Sequence, residues 1–362
     1  MDGLGGNWYH PAVKIARVKA DAGDRRFHAY CIGLPKTGTT SIGTIFGNYR
    51  SDKWESPEQK DAFCDFIEGK LTKSQVLKFV LQRDRRGRLE MDATSGNWMY
   101  LDILKQQFPA AKFILTVRDC YSWCDSLINV LIARAVGEEL PAIARLFRCW
   151  GKYEIADLFR DEKTAIKRIG DILDCILPMW IQSDSVARRA PASRTLVVRT
   201  SDISSSLKTM ADFVGVKPAT LLKDRDHSRE TWRKFHIFQK VDRGLLEKKF
   251  SAYADSALMR KYFPEARLTD FLRKDEKARA LMPATRRKGS IGPADLIFRA
   301  ESSANDGRQD LAERLLARAE GLNPGPRELR RIATQYLRLK EHGRALEILE
   351  RPGAGKPKDL GF

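Results

Sequence analysis

The sequence predicts an α/β fold in which a parallel sheet is flanked by helices, with a small all-helical appendage at the C-terminal end. Three stretches carry that expectation. His28 to Tyr49 reads as a short strand, a loop rich in Gly, Pro and Thr, and a helix from about Thr40. Lys112 to Val117 (KFILTV) is a continuous apolar strand of the type buried on both faces, and it runs through Arg118-Asp119 into a helix, Tyr121 to Leu131. Arg194 to Arg199 (RTLVVR) is a further buried strand, followed by Thr200-Ser201-Asp202 and a helix from Ser205 to Val214. From about Pro293 the composition shifts to Ala, Leu, Arg and Glu at helical periods, which marks the appendage.

The first stretch makes the sheet P-loop-like. Gly33 and Gly38 enclose four residues, the spacing of a loop whose backbone N–H groups close around a phosphate at the positive end of the following helix. The usual continuation is Lys then Ser or Thr, but Thr39 and Thr40 take those places and Lys36 stands inside the loop. A nucleotide triphosphatase needs its lysine on the terminal phosphates, whereas a lysine midway round the loop lies beside the 5′-phosphate and the group that leaves from it.

Leu34-Pro35-Lys36-Thr37-Gly38-Thr39-Thr40 resembles the 5′-phosphosulfate loop of the sulfotransferase family, the enzymes that use 3′-phosphoadenosine-5′-phosphosulfate (PAPS). The resemblance implies cofactor contacts from Pro35, Lys36, Thr37, Gly38, Thr39, Thr40 and Ser41, with Lys36 as the catalytic cation and no metal. Arg118 and Ser126, eight residues apart, match the pair with which the family holds the 3′-phosphate. The guanidinium offers a rigid fork to phosphate oxygens and the serine a neutral donor. A Gly-rich turn before a core helix, and an arginine capping a sheet edge, are the bland readings of these two stretches.

The net charge of +18 asks for an anionic partner. Before Ile291 there are 52 Lys and Arg against 36 Asp and Glu, so the excess belongs to the cofactor-binding part. A bisphosphorylated nucleotide accounts for some of that field, and an acidic or sulfated acceptor can use the rest. Nucleic acid is not expected, because no helix-turn-helix, zinc-finger or aromatic RNA-binding signature accompanies the charge. The run Arg83-Asp84-Arg85-Arg86-Gly87-Arg88 reads as a solvated basic surface. No stretch reads as a signal peptide or transmembrane helix, so the expected location is cytoplasmic, with the six scattered cysteines reduced.

The expected organisation is an N-terminal lead-in (1–27), a sulfotransferase domain (28–285), and a basic linker with a helical tail (286–362). Within the domain, Leu71 to Gln82 has helical spacing, a short strand from Arg88 ends at Asp92, and a helix spans Trp98 to Phe108. Leu140 to Phe159 and Thr164 to Ser183 are amphipathic stretches that would cover the sheet. Thr200 stands where the family places a tyrosine near the adenine, and Ser41 where it often has an aromatic residue. Arg287-Lys288-Gly289 resembles the family's loop over the 3′-phosphate, with an ordinary basic linker as the alternative. In the tail, Gly307, Ala312, Ala319 and Pro324 fall at offsets of 5, 7 and 5, and Ala345 repeats Ala312 after 33 residues. This resembles a tetratricopeptide hairpin with a partial second copy, an element that needs the main domain, another subunit or a protein partner to dock on.

Three residues compete as the base that takes the acceptor proton. Asp92 ends a strand beside the loop, at the edge where parallel sheets bind ligands. Glu55 lies in a region that carries an acidic base in heparan-type sulfotransferases. His227 has the unperturbed pKa best suited to the task. The expected reaction is transfer of a sulfuryl group from PAPS to a hydroxyl or amine of a saccharide, glycolipid or natural product, releasing adenosine 3′,5′-bisphosphate. Two alternatives are a small phosphoryl-transfer kinase with Thr39 or Thr40 on magnesium, and a non-enzymatic nucleotide-binding adaptor that works through its helical tail.

Overall fold

Five strands form one sheet in the order β2-β3-β1-β4-β5, and every neighbouring pair is parallel. They are β1 (Ala29–Cys31), β2 (Ser51–Asp52), β3 (Met91–Asp92), β4 (Lys112–Val117) and β5 (Thr195–Arg199). The computed structural model describes residues 25–52, 61–136 apart from 63 and 67, 145, 155–222, 235–280, 293–305 and 309–351. All parallel pairs need crossovers, and helices supply them. These are α1 (Thr39–Ile45) after β1, α2 (Lys73–Gly87) before β3, α3 (Leu101–Gln107) before β4, and α4 (Cys120–Val136) after it. Between β4 and β5 the described helices continue with α5 (Ile155–Phe159), α6 (Glu162–Lys167), α7 (Ile169–Trp180) and α8 (Gln182–Arg189), and α9 (Leu207–Val214) follows β5.

Side chains alternate along each strand, and the alternation divides the core. Phe113, Leu115 and Val117 of β4 join Tyr30 and Ile32 in a large cluster with α2, α3, α4 and α7. Ile114 joins Ala29, Cys31, Met91 and Val198 in a second cluster under α1 and α9. Trp123 and Trp180, both fully buried, are anchors of the larger cluster, and burying a side chain of that size contributes on the order of 2–3 kcal/mol.

Local chemistry moves several element boundaries from where periodicity put them. Helix α2 begins at Lys73 because Thr72 caps it: the Thr72 hydroxyl accepts from the Gln75 N–H, and the Gln75 side chain accepts from the Thr72 N–H. It ends at Gly87, where Arg88 takes up a left-handed conformation. In place of one helix from Trp98, a 3-10 turn at Asn97–Met99 precedes α3, because the Asn97 side chain is tied back to β1 and β3. The Thr164 to Ser183 stretch is broken at Arg168 and Ile181 into α6, α7 and α8. Of Leu140 to Phe159, only residue 145 and α5 fall within the described residues.

The expected solvated run holds for Arg85 to Arg88, which are exposed, and needs correcting at its first two residues. Asp84 is half-buried against Arg25 and His28, and Arg83 reaches the strand ends. Arg25 Nη1 donates to His28 Nδ1 at 3.2 Å, which leaves the proton of a neutral imidazole on Nε2, 3.3 Å from Asp84 and 2.9 Å from the Tyr30 hydroxyl. Burial, helped by the Arg25 charge and opposed by Asp84, holds the His28 pKa below its ordinary value. The unfolded chain therefore binds a proton at about pH 6.5 that the folded chain refuses. This contribution to stability is complete above that pH and is lost as pH falls towards the folded-state value. Urea melts at a series of pH values should show His28→Gln flattening this slope, and an unchanged slope would assign it to other groups.

The tail contains α13 (Pro293–Asn305), α14 (Gln309–Glu320), α15 (Pro326–Arg338) and α16 (His342–Glu350), after α10 (Arg243–Ala254), α11 (Ala257–Tyr262) and α12 (Leu268–Ala280). Its hydrophobic residues form a cluster of their own, in which Ala312, Ala319 and Ala345 are fully buried. Small side chains there let neighbouring helices approach closely.

Candidate functional site

The loop between β1 and α1 is fixed from beneath. Thr37 is fully buried, its hydroxyl donating to the Leu34 carbonyl at 2.7 Å and lying 2.7 Å from the Thr116 hydroxyl on β4. A Cβ on Gly33 would sit 1.9 Å from the Thr116 hydroxyl, so only glycine admits this contact. Lys36 and Gly38 both have positive φ, 69° and 103°, and the chain then enters α1. The first intrahelical bond is Ile42 N–H to Gly38 at 3.0 Å. The amides of Thr39 and Thr40 thus precede the helix's own hydrogen-bond ladder. Alternating backbone signs of this kind turn successive N–H groups towards one concavity.

Three consecutive loop carbonyls are held by side chains from other elements. Trp123 Nε1 on α4 donates to Pro35 at 2.8 Å, Arg118 Nη1 to Lys36 at 3.1 Å, and the Thr200 hydroxyl to Thr37 at 2.6 Å. Thr200 also lies 3.0 Å from the Val117 carbonyl, so the turn after β5 is tied to both the loop and β4. The Lys36 backbone is thereby tied directly to Arg118.

Arg118 follows the last residue of β4, and its own carbonyl accepts from Trp180 Nε1 at 2.9 Å. Its Nε donates to the Ser122 hydroxyl at 3.0 Å, and Ser122 in turn is fixed by the Asp119 carboxylate, which also takes the Ser122 N–H at 2.9 Å. Ser126 lies one turn further along α4 on the same face and is partly exposed. Burial lowers the Arg118 pKa, with Asp119 and Asp125 opposing, but an arginine starts so high that it stays charged. The site thus sets a half-hidden guanidinium directly against the loop. Ser122 escaped the sequence reading, although its place four residues after Arg118 was the available signal.

Asp92 does not fit the role of base. It is 3% exposed, Oδ1 accepts from the Thr94 N–H, the Thr94 hydroxyl and Asn97 Nδ2, and Oδ2 is paired with Arg83. Arg83 also reaches Asp52 at 3.2 Å. A buried carboxylate bonded on both oxygens and paired with an arginine holds a turn together and is poorly placed to take a proton from an acceptor. Glu55, His227 and Arg287-Lys288-Gly289 lie outside the described residues.

The loop and Arg118 offer a cation, a guanidinium, hydroxyls and backbone N–H groups, a donor set suited to an anion. Glycine is needed at 38 as well, because φ is 103° there and a Cβ would run into the Ile203 side chain. Among the described residues no group of three or more His, Cys, Asp or Glu side chains converges to hold a metal, and no helix is long and apolar enough to cross a membrane. A family model described as a sulfotransferase domain matches residues 30–227, a span that contains β2 to β5, all of β1 but its first residue, the loop, Arg118 and Thr200. No curated protein matches the chain.

Proposed function

The chain belongs to the sulfotransferase family, and on that premise we propose that it moves a sulfuryl group from PAPS to a hydroxyl or amine of a saccharide, glycolipid or natural-product acceptor. The observation that carries the choice of donor is the direct link between Arg118 and the Lys36 carbonyl at 3.1 Å, which ties the guanidinium to the loop that carries Lys36. A nucleotide with phosphate at both the 3′ and 5′ positions presents two anionic ends to such a pair.

In this reading Arg118, with Ser122 and Ser126 beside it, holds the 3′-phosphate. The amides of Lys36 and of Gly38 to Ser41 surround the 5′-phosphate, and Lys36 faces the bridging oxygen. Bound there, PAPS supplies the activated sulfuryl group. The protein's part is to place a fixed positive charge where negative charge develops, which needs no reorganisation during the reaction. Glu55 and His227 are the candidates for taking the acceptor proton.

Thermal shift with adenosine 3′,5′-bisphosphate against ATP and magnesium tests the donor. Metal-free stabilisation by the bisphosphate is expected, because a ligand that binds only the folded state raises the melting temperature by mass action. Preference for ATP with magnesium would overturn the reading in favour of a kinase.

A further inference from the structure

The held carbonyls of the loop have a geometric consequence for its amides. No described peptide bond is cis, and in a planar trans peptide the C=O of one residue and the N–H of the next point in opposite directions. The Pro35 carbonyl shares its plane with the Lys36 N–H, and the Thr37 carbonyl with the Gly38 N–H. Trp123 holds the first of these carbonyls at 2.8 Å and Thr200 the second at 2.6 Å. Each bond therefore fixes the direction of an amide on the other side of the loop. The Thr37 N–H differs, since it turns back to the Leu34 carbonyl at 3.2 Å.

We infer that Trp123 and Thr200 are positioning residues that aim the Lys36 and Gly38 N–H groups at the bound anion by holding the Pro35 and Thr37 carbonyls on the opposite side. The assignment rests on the reading of this loop as the donor's cradle. It also gives Thr200 a role through the loop backbone in place of the adenine contact expected from its position. Trp123 is fully buried in α4 and Thr200 stands at the first position of the turn after β5, so two elements clamp the loop independently. Without them the loop amides would have to be ordered by the anion itself, and the cradle would lose its preorganisation.

The test compares Trp123→Phe, Thr200→Val and Thr200→Ser with the wild type. Valine keeps the shape of threonine and removes the hydroxyl, whereas serine keeps the hydroxyl. Two readouts are followed: the 15N–1H resonances of Lys36 and Gly38 on titration with inorganic sulfate, and kcat and KM for PAPS hydrolysis. Thr200→Val should lose the Gly38 shift and lower kcat by about tenfold, the value of one neutral hydrogen bond. Thr200→Ser should recover most of both, and Trp123→Phe should lose the Lys36 shift. Because Trp123→Phe also changes a core side chain and can fail to fold, the threonine pair keeps the test decisive. Wild-type sulfate shifts that persist in Thr200→Val, with unchanged kcat, would overturn the inference. Sulfate shifts lost in the variants of a protein that does not bind adenosine 3′,5′-bisphosphate would uphold the loop geometry and overturn the choice of donor.

Discussion

Lys36→Met is expected to lower kcat by about 10²–10³, the usual consequence of removing one preorganised donor from developing charge. Methionine keeps the length of the stem and takes away only the ammonium, so folding should be preserved. Affinity for adenosine 3′,5′-bisphosphate should fall less than kcat, because the product keeps its contacts to loop amides and to Arg118. Arginine would be a poor replacement, since a broad planar head cannot put one point charge on one oxygen inside this turn. Single-turnover transfer of labelled sulfate measures the effect once an acceptor is in hand, and PAPS hydrolysis serves before then. A Lys36→Met protein as fast as wild type would remove Lys36 from the chemistry.

Arg118→Ala should weaken binding of adenosine 3′,5′-bisphosphate by about 10- to 150-fold, the equivalent of about 1.5–3 kcal/mol for a charge-assisted phosphate contact. The geometry adds a second effect. Arg118 also holds the Lys36 carbonyl, so its loss should lower kcat as well as affinity, whereas Ser126→Ala should weaken affinity alone and by less. Lysine should not rescue the site, because a single ammonium cannot serve both Ser122 and the Lys36 carbonyl as the guanidinium does. Calorimetry with the bisphosphate and with adenosine 5′-phosphate separates the two ends of the ligand. If the variant loses equal affinity for both nucleotides, Arg118 does not read the 3′-phosphate.

The sequence made the loop visible because glycines at 33 and 38 and a lysine between them are unusual residues at a fixed spacing. It made Arg118 visible because a charged residue interrupts the apolar pattern where β4 ends. Trp123 was harder to see. A tryptophan on the inner face of a helix reads as core packing, which it is, and nothing local reveals that its N–H also reaches the Pro35 carbonyl. Asp92 misled for the opposite reason. A strand-end carboxylate looks available until its tertiary partner is known, and Arg83 comes from α2, in a run that reads as solvated. Periodicity gave the elements well where apolar residues alternate, as in β4, and less well where a cap sets the boundary, as at Thr72 and Arg88.

The left-handed backbone of Lys36 sets two kinds of selection against each other. At φ 69° any residue with a Cβ is disfavoured by roughly 1–2 kcal/mol, a cost glycine escapes at the expense of its greater freedom in the unfolded chain. Lys36→Gly should therefore melt at the same temperature as the parent or a few degrees higher while losing sulfuryl transfer. Differential scanning calorimetry beside a hydrolysis assay would show both, and a clear fall in melting temperature would mean that the lysine side chain itself supports the loop. A variant library ranked by expression or heat resistance would enrich glycine at 36 and discard the lysine proposed to act in turnover. Any screen meant to improve this protein has to score activity from its first round.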